Sequence, residues 1–186
     1  YREMSPQTGE FFDFMVENQL FDLQSKKGKA GGGYCTELPS YQSPFIFANF
    51  NGTVDDVEVL THEAGHAFAA YRARNLRYLE NTTPTMESAE VHSMAMELFS
   101  RPWDESFFGE KAEEFRSYQL ENCLDFIPYG TMVDEFQTRV YEHPEMTPLQ
   151  RKEVWAQLEK KYRPWLSFEG LPYFAAGGYY QWKHHI

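Results

Sequence analysis

The chain contains 186 residues, of which 42% are hydrophobic and 17% aromatic, so it can bury one sizeable core. Its 17 Lys and Arg residues against 28 Asp and Glu residues give a formal net charge of −11, which disfavours binding to nucleic acid or to an anionic membrane surface. Cys35 and Cys123 are the only cysteines and no run approaches the roughly 20 apolar residues of a transmembrane helix, which excludes a disulfide framework and predicts a cytoplasmic protein with free thiols.

The first predicted element is a helix over residues 8–23, with Ser5 at its N-cap and Pro6 at its first position. Its many phenylalanines are expected to form a buried side. Residues 25–33 then carry three lysines and four glycines, which is typical of a loop whose backbone is free to approach a ligand. A phosphate-binding loop is disfavoured, because the Gly-x-x-x-x-Gly-Lys-Ser/Thr order is absent.

Residues 44–50 predict a short strand, since they are aromatic and apolar and lie between Pro44 and the turn at Asn51-Gly52. The strand directly precedes the helix that carries the main motif. An exposed strand edge in that position could bind an extended peptide through main-chain hydrogen bonds, the alternative being an ordinary strand inside a sheet.

Residues 54–74 predict a helix, because apolar side chains recur on one face and no Pro interrupts them. The helix contains Thr-His-Glu-Ala-Gly-His, in which His62 and His66 are four residues apart and project from one face. Two imidazoles so placed can bind one metal ion, and Glu63 can take a proton from a water that the ion activates. Gly65 costs roughly 1 kcal/mol relative to Ala in a helix, so we expect another backbone or a ligand to approach closely there.

The segment after this helix is polar and turn-like over residues 75–84, and helical spacing resumes over residues 86–99. The remainder predicts two or three long helices over residues 103–141 and 147–165. Breaks are expected near Pro128 and Pro144.

A catalytic zinc site needs a third protein ligand besides the two histidines. Glu87 and Glu90 on the second predicted helix are candidates, and spacing alone does not choose between them. The ring N–H of a ligating histidine normally needs an acceptor, and Glu58 lies four residues before His62 on the same helix. Glu97, two turns after Glu90, is a weaker candidate for the same role.

Four blocks of the sequence together resemble the zinc oligopeptidases of the thimet oligopeptidase and oligoendopeptidase F group, and in particular the oligoendopeptidase F branch. The blocks are residues 29–36 (Lys-Ala-Gly-Gly-Gly-Tyr-Cys-Thr), 44–53, 62–66 and 89–94, in matching order and spacing. The resemblance implies a mainly α fold, a helical zincin-like catalytic domain over residues 1–186 with a small β-sheet beside the His-Glu-x-x-His helix.

The resemblance also implies roles for individual residues. Glu90 would be the third ligand of one zinc ion, Glu58 would be the acceptor beside the first histidine, and His185 would help to stabilise the oxyanion. The blocks further suggest substrate-binding positions, namely Gly32, Gly33, Tyr34, Ala48 and Asn49. The implied function is a zinc metalloendopeptidase that cleaves short unstructured oligopeptides with Glu63 as the general base.

The chain departs from the family pattern in length. Family members have several hundred residues, with a large helical region before these blocks and a cluster of tyrosines after the position of His185. We therefore expect a catalytic-domain fragment whose channel the remainder of a parent polypeptide completes. The alternative is a metal-stabilised helical or peptide-binding module without turnover, in which His92 would supply the fourth ligand of a closed zinc site. A di-metal bundle needs two Glu-x-x-His elements, and only residues 63–66 fit.

Overall fold

The structure of the protein, a computed structural model, describes residues 1–167, 169, 170 and 185. The chain forms two compact units, Tyr1–Phe115 and Arg116–Ile186. Six α-helices and one three-stranded sheet make up the regular structure of the described residues, which confirms the predicted mainly α fold with a small sheet. None of the described helices is long and apolar enough to cross a membrane.

The first unit begins with helix α1, Pro6–Glu17, whose start is as predicted: the Ser5 side chain accepts a hydrogen bond from the backbone N–H of Thr8 at 3.1 Å. The helix ends earlier than predicted. Gln19 has a φ of 54°, which a helix does not accommodate, and the chain continues into strand β1, Phe21–Gln24. The prediction of a helix to residue 23 was therefore wrong.

The sheet consists of β1, β2 (Tyr34–Leu38) and β3 (Ser43–Phe50), in the order β1-β3-β2. β3 pairs in parallel with β1 and antiparallel with β2. The predicted strand at residues 44–50 is confirmed. Of the two alternatives for it, the ordinary strand inside a sheet is the one observed, because β3 is the central strand and has no exposed edge. The outer strand that follows the glycine-rich loop is β2.

Helix α2, Asp55–Ala73, directly follows β3 and carries the His-Glu-x-x-His motif, as predicted. The entry turn is fixed by Asp56, whose carboxylate accepts the backbone N–H groups of Asn51 at 3.1 Å and Gly52 at 2.7 Å. The side of α2 that faces away from solvent packs into the core of this unit. That core contains Phe11, Met15, Leu20, Ile46, Ala64, Ala67 and Tyr71.

Helix α3, Val91–Ser100, packs against α2 at Gly65. A Cβ atom added to Gly65 would lie 2.5 Å from the Ser93 Cα and 2.6 Å from the His92 carbonyl oxygen. The close approach expected at Gly65 is thus made by the backbone of α3. The helix predicted over residues 86–99 begins later than expected, after a 3-10 turn at Met86–Ser88.

The remaining helices are α4 (Asp104–Phe108), α5 (Ala112–Glu142) and α6 (Pro148–Tyr162). The expected break at Pro128 was wrong, because α5 continues through this residue although proline cannot donate a backbone hydrogen bond. The break near Pro144 is confirmed. The core of the second unit contains Met132, Phe136, Val140, Trp155 and Leu158.

We expect Gly65→Ala to lower the free energy of unfolding by about 1–3 kcal/mol, because the added methyl group cannot fit without moving the α3 backbone. Chemical denaturation of the purified variant measures the change. Gly31→Ala is the matched control, since nothing lies within 4 Å of a Cβ added there. Equal stability of the two variants would contradict the close contact between α2 and α3.

Candidate metal centre

Two helices bring three possible ligands together. His62 and His66 lie one turn apart on α2, and Glu90 lies immediately before α3. The Nε2 atoms of the two histidines are 3.2 Å apart, and the Glu90 Oε2 atom lies 3.0 Å from His62 Nε2 and 3.2 Å from His66 Nε2. The three atoms form a nearly equilateral triangle.

The size of the triangle fits a small tetrahedral cation. Ligand atoms at 2.0–2.1 Å from a tetrahedral zinc ion are about 3.3 Å from one another, close to the observed separations. Two imidazoles and one carboxylate are also a ligand set typical of catalytic zinc, which keeps a fourth position open. The other candidate ligand, Glu87, is fully exposed and bonds to the side chain of Thr85 instead.

The outer nitrogen of each histidine contacts a residue of α3. His62 Nδ1 lies 2.6 Å from the Glu97 Oε1 atom, and His66 Nδ1 lies 2.9 Å from the Nε2 atom of His92. The Ser93 hydroxyl donates to Glu90 Oε2 at 2.6 Å. His92 therefore stands behind His66 and does not join the triangle, so the structure does not place it as the fourth ligand of a closed site.

The structure does not place Glu58 as the acceptor beside His62. Its carboxylate makes no hydrogen bond to either ligating histidine among the residues that the structure describes, and Glu97 occupies that position. The reason is tertiary: His62 turns Nε2 toward Glu90, so its Nδ1 faces the residue two turns further along the same face of α3. Burial, and then the negative charges of Glu97 and Asp55, raise the pKa of Glu58.

The pKa values of the two histidines shift in opposite directions. The hydrogen bond to Glu97 raises the pKa of His62 against the effect of burial, whereas burial lowers the pKa of His66. Burial also acts to raise the pKa of Glu90, but the hydrogen bond from Ser93 and the nearby histidines outweigh it and lower that pKa. The ring of His66 therefore favours the neutral form that a metal ligand requires.

Glu63 is the buried carboxylate of the site. Its side chain is among the buried polar groups of the chain and lines the same cavity as the two histidines. Burial raises its pKa, while the charge of His62 and a hydrogen bond from the backbone N–H of Cys35 act in the opposite direction. A carboxylate whose pKa is raised from its ordinary value is a stronger proton acceptor, as a general base at neutral pH must be.

The cluster opens into a cavity of about 770 Å³ that is lined by β2, by α2 and by the segment between α2 and α3. Of the five predicted substrate-binding residues, Gly33 and Tyr34 line this cavity. Ala48 is buried in β3, Asn49 follows it, and Gly32 is exposed in the loop with a φ of 86°.

Sequence reasoning missed much of the cavity wall. Thr36 and Glu37 belong to β2, which was not predicted, although the aromatic Tyr34 and the β-branched Thr36 after the glycines were a usable signal. Thr82, Thr83 and Pro84 come from a segment that was predicted only as a turn. Nothing in the local pattern of that segment indicates that it faces the metal ligands.

His185 lies in the second unit. Its ring stacks on Trp155 with an interplanar angle of 8°, and its Nε2 atom is 2.9 Å from the Tyr129 hydroxyl. Its backbone carbonyl accepts a hydrogen bond from the Gln137 side chain at 2.7 Å. The role in oxyanion stabilisation stays a prediction.

Comparison with known proteins finds relatives by sequence and similar solved structures. The chain is 27% identical over 161 residues to oligopeptidase PepF of Bacillus subtilis strain 168, covering 79% of this chain and 23% of that protein. It is 25% identical over 195 residues to the oligoendopeptidase F homolog of Mycoplasma genitalium, covering 91% of this chain and 32% of that protein. The solved structure of PZ peptidase A with an inhibitor matches all of this chain with a TM-score of 0.94 and 52% identity.

This chain spans about a quarter to a third of the length of these relatives, since it covers 33% of the PZ peptidase A chain. The sequence profile of Peptidase family M3 matches residues 9–181, nearly the whole chain. The resemblance to the oligoendopeptidase F branch is thereby confirmed. The chain belongs to Peptidase family M3.

Proposed function

We propose that this chain carries the catalytic centre of a zinc metalloendopeptidase that hydrolyses short unstructured oligopeptides. The observation that supports it best is the triangle of His62, His66 and Glu90, with Glu63 lining the same cavity. Membership of Peptidase family M3 and similarity to oligopeptidases support the class of reaction. The restriction to oligopeptides is part of the proposal.

The three residues of the triangle would hold one zinc ion. When bound, zinc supplies a positive charge that polarises a peptide carbonyl and lowers the pKa of a coordinated water to about 7. Only His62, His66 and Glu90 converge among the described residues, so the proposed site keeps an open position. That open position favours a catalytic site over a structural one.

Glu63 is the proposed general base. It lies between the two histidines on α2, and its side chain is not part of the triangle, so it is free to accept a proton from the attacking water. Once protonated it can donate to the leaving amine nitrogen. Its burial raises its pKa and so strengthens it as the acceptor of the water's proton.

We propose that an extended substrate pairs with the free edge of β2. Glu37 faces Pro44 across the ladder, and Pro44 has no N–H, so this pair cannot exchange two hydrogen bonds. Glu37 therefore directs its own backbone groups away from β3, and Cys35, two residues earlier, does the same. Ile46, which faces Cys35 across the ladder, donates its N–H to the Leu20 carbonyl at 3.0 Å and not to Cys35, which agrees with this direction. Cys35, Glu37 and the proposed base Glu63 line the same cavity.

We also propose that this chain acts within a longer polypeptide. Its relatives are three to four times as long, which supports additional segments that line a substrate channel. His185 is the proposed partner for the developing oxyanion, an assignment that rests on the family resemblance.

We expect the purified chain to bind one zinc ion, with nitrogen ligands at about 2.0–2.1 Å and a carboxylate oxygen at about 2.0–2.2 Å. X-ray absorption spectroscopy with parallel metal analysis measures both quantities. His62→Ala removes a ligand and should weaken zinc binding by more than the roughly 10- to 100-fold typical of an outer partner. Four protein ligands, or unchanged affinity in His62→Ala, would be incompatible with the proposed site.

Substitution of two carboxylates, one at a time, tests which of them orients His62. Glu97→Gln should weaken zinc binding roughly 10- to 100-fold, because the amide is a poorer acceptor for the His62 N–H. Glu58→Gln is the matched control and should bind zinc much as the unmodified chain does. The reverse ranking of the two variants would restore Glu58 as the acceptor.

Peptide pairing with β2 is measurable by amide hydrogen exchange of the zinc-loaded chain with a non-cleavable peptide analogue. We expect exchange at the Glu37 N–H to slow by about tenfold or more, since one new backbone hydrogen bond protects it. The amides of β1, the other outer strand, are the internal control. Protection along β1 with none at Glu37 would show that the peptide binds elsewhere.

Glu63→Gln separates metal binding from chemistry. In a polypeptide of the relatives' length that contains this sequence, the variant should retain zinc and lose peptide cleavage by at least roughly 10²- to 10⁴-fold, because an amide cannot accept the proton. Hydrolysis of a quenched fluorescent oligopeptide measures the loss. Efficient cleavage by the zinc-loaded variant would overturn the mechanism. The 186-residue chain by itself should show little turnover, and efficient cleavage by it would show only that no longer polypeptide is needed.

A further inference from the structure

His92 contacts His66 on the side of the ring that faces away from the metal cluster. It follows Glu90 by two residues, and its Nε2 atom lies 2.9 Å from His66 Nδ1. The two rings are nearly perpendicular, with an interplanar angle of 81° and centroids 4.9 Å apart. His92 thus meets the nitrogen of His66 that faces away from the cluster, and the backbone position that allows this is the close contact of its own carbonyl with Gly65.

The hydrogen-bond pattern fixes which nitrogens carry protons when a cation is held. A neutral imidazole has one N–H, and a nitrogen that binds a cation must be unprotonated. His62 and His66 both direct Nε2 at Glu90, so each must carry its proton on Nδ1. His62 can donate that proton to the Glu97 carboxylate, and His66 can donate only if His92 Nε2 is unprotonated.

The surroundings of His92 favour a neutral ring. Its other side borders a second cavity, of about 570 Å³, whose lining is mostly apolar and includes Phe68, Met96 and Phe99. The two ligating histidines therefore have unlike partners, a carboxylate and a neutral ring.

We propose that His92 is a positioning residue of the metal centre: its unprotonated Nε2 accepts the Nδ1–H of His66 and so holds His66 with Nε2 directed at the cation. The inference rests on the proposed function in taking that cation to be zinc. His92 touches neither substrate nor reacting atoms and acts only through His66. The residue that the sequence suggested as a fourth ligand thus orients a ligand instead.

Two substitutions distinguish positioning from bulk packing. His92→Gln keeps an oxygen acceptor near the position of Nε2, whereas His92→Leu fills much of the space without an acceptor. Zinc affinity, measured by competition with a chelator, should fall roughly 10- to 100-fold in His92→Leu and be largely retained in His92→Gln. His143→Leu is the control for losing any histidine, since His143 pairs with Glu145 in the second unit. Unchanged zinc affinity in His92→Leu, or equal losses in both variants, would overturn the proposal.

A second measurement needs no substitution. Long-range ¹H–¹⁵N NMR of the ¹⁵N-histidine-labelled chain, with and without zinc, identifies the protonated nitrogen of each ring. We expect protons on Nδ1 of His66 and on Nδ1 of His92 in the zinc-loaded chain, and a proton on His92 Nε2 in that state would overturn the proposal even if His92→Leu fails to fold. The zinc-free spectrum is the reference for assigning the rings. A chain that binds no zinc, but in which the His66 Nδ1–H still donates to His92 Nε2, would refute the proposed function and leave the positioning contact in place.

Discussion

The site depends on how closely α3 packs against α2. Gly65 has no side chain, and the Ser93 Cα and the His92 carbonyl occupy the space that a Cβ would need. This contact holds the backbone of α3 close to that of α2. Glu90, His92 and Glu97 can therefore meet histidines on a neighbouring helix, and a separation larger by one methyl group would take all three out of hydrogen-bond range.

The two helices contribute different parts of the site. Helix α2 supplies His62, Glu63 and His66 from within five successive positions, so their mutual geometry is local and follows from helical spacing. The carboxylate of the triangle and both partners of the outer nitrogens come from α3 or the residue before it. The metal centre is thus a property of the interface between two helices, and its precision derives from their packing.

The same division explains what the sequence could predict. The motif helix, the N-cap at Ser5 and the central strand follow from local patterns, and all three are present. The resemblance selected Glu90, which the structure brings to the two histidines. The resemblance also selected Glu58, and helical spacing agreed with that choice, but the ring orientation of His62 is set by α3, which spacing within α2 cannot reveal. Strand β2 and the path of α5 through Pro128 likewise depend on packing between distant residues.

The negative charge around the cluster favours binding of a cation. Glu58, Glu63, Glu90 and Glu97 gather around two histidines in a chain whose net charge is already −11. Glu97 helps to raise the pKa of Glu58, and Glu90 acts in the same direction on Glu63, so the carboxylates repel one another in the folded state. A divalent cation in the triangle would offset this repulsion where it is strongest and stabilise the folded chain that binds it. The contact at Gly65 brings the carboxylates of α3 into this arrangement, so close packing of the two helices and affinity for a cation are consequences of the same interface.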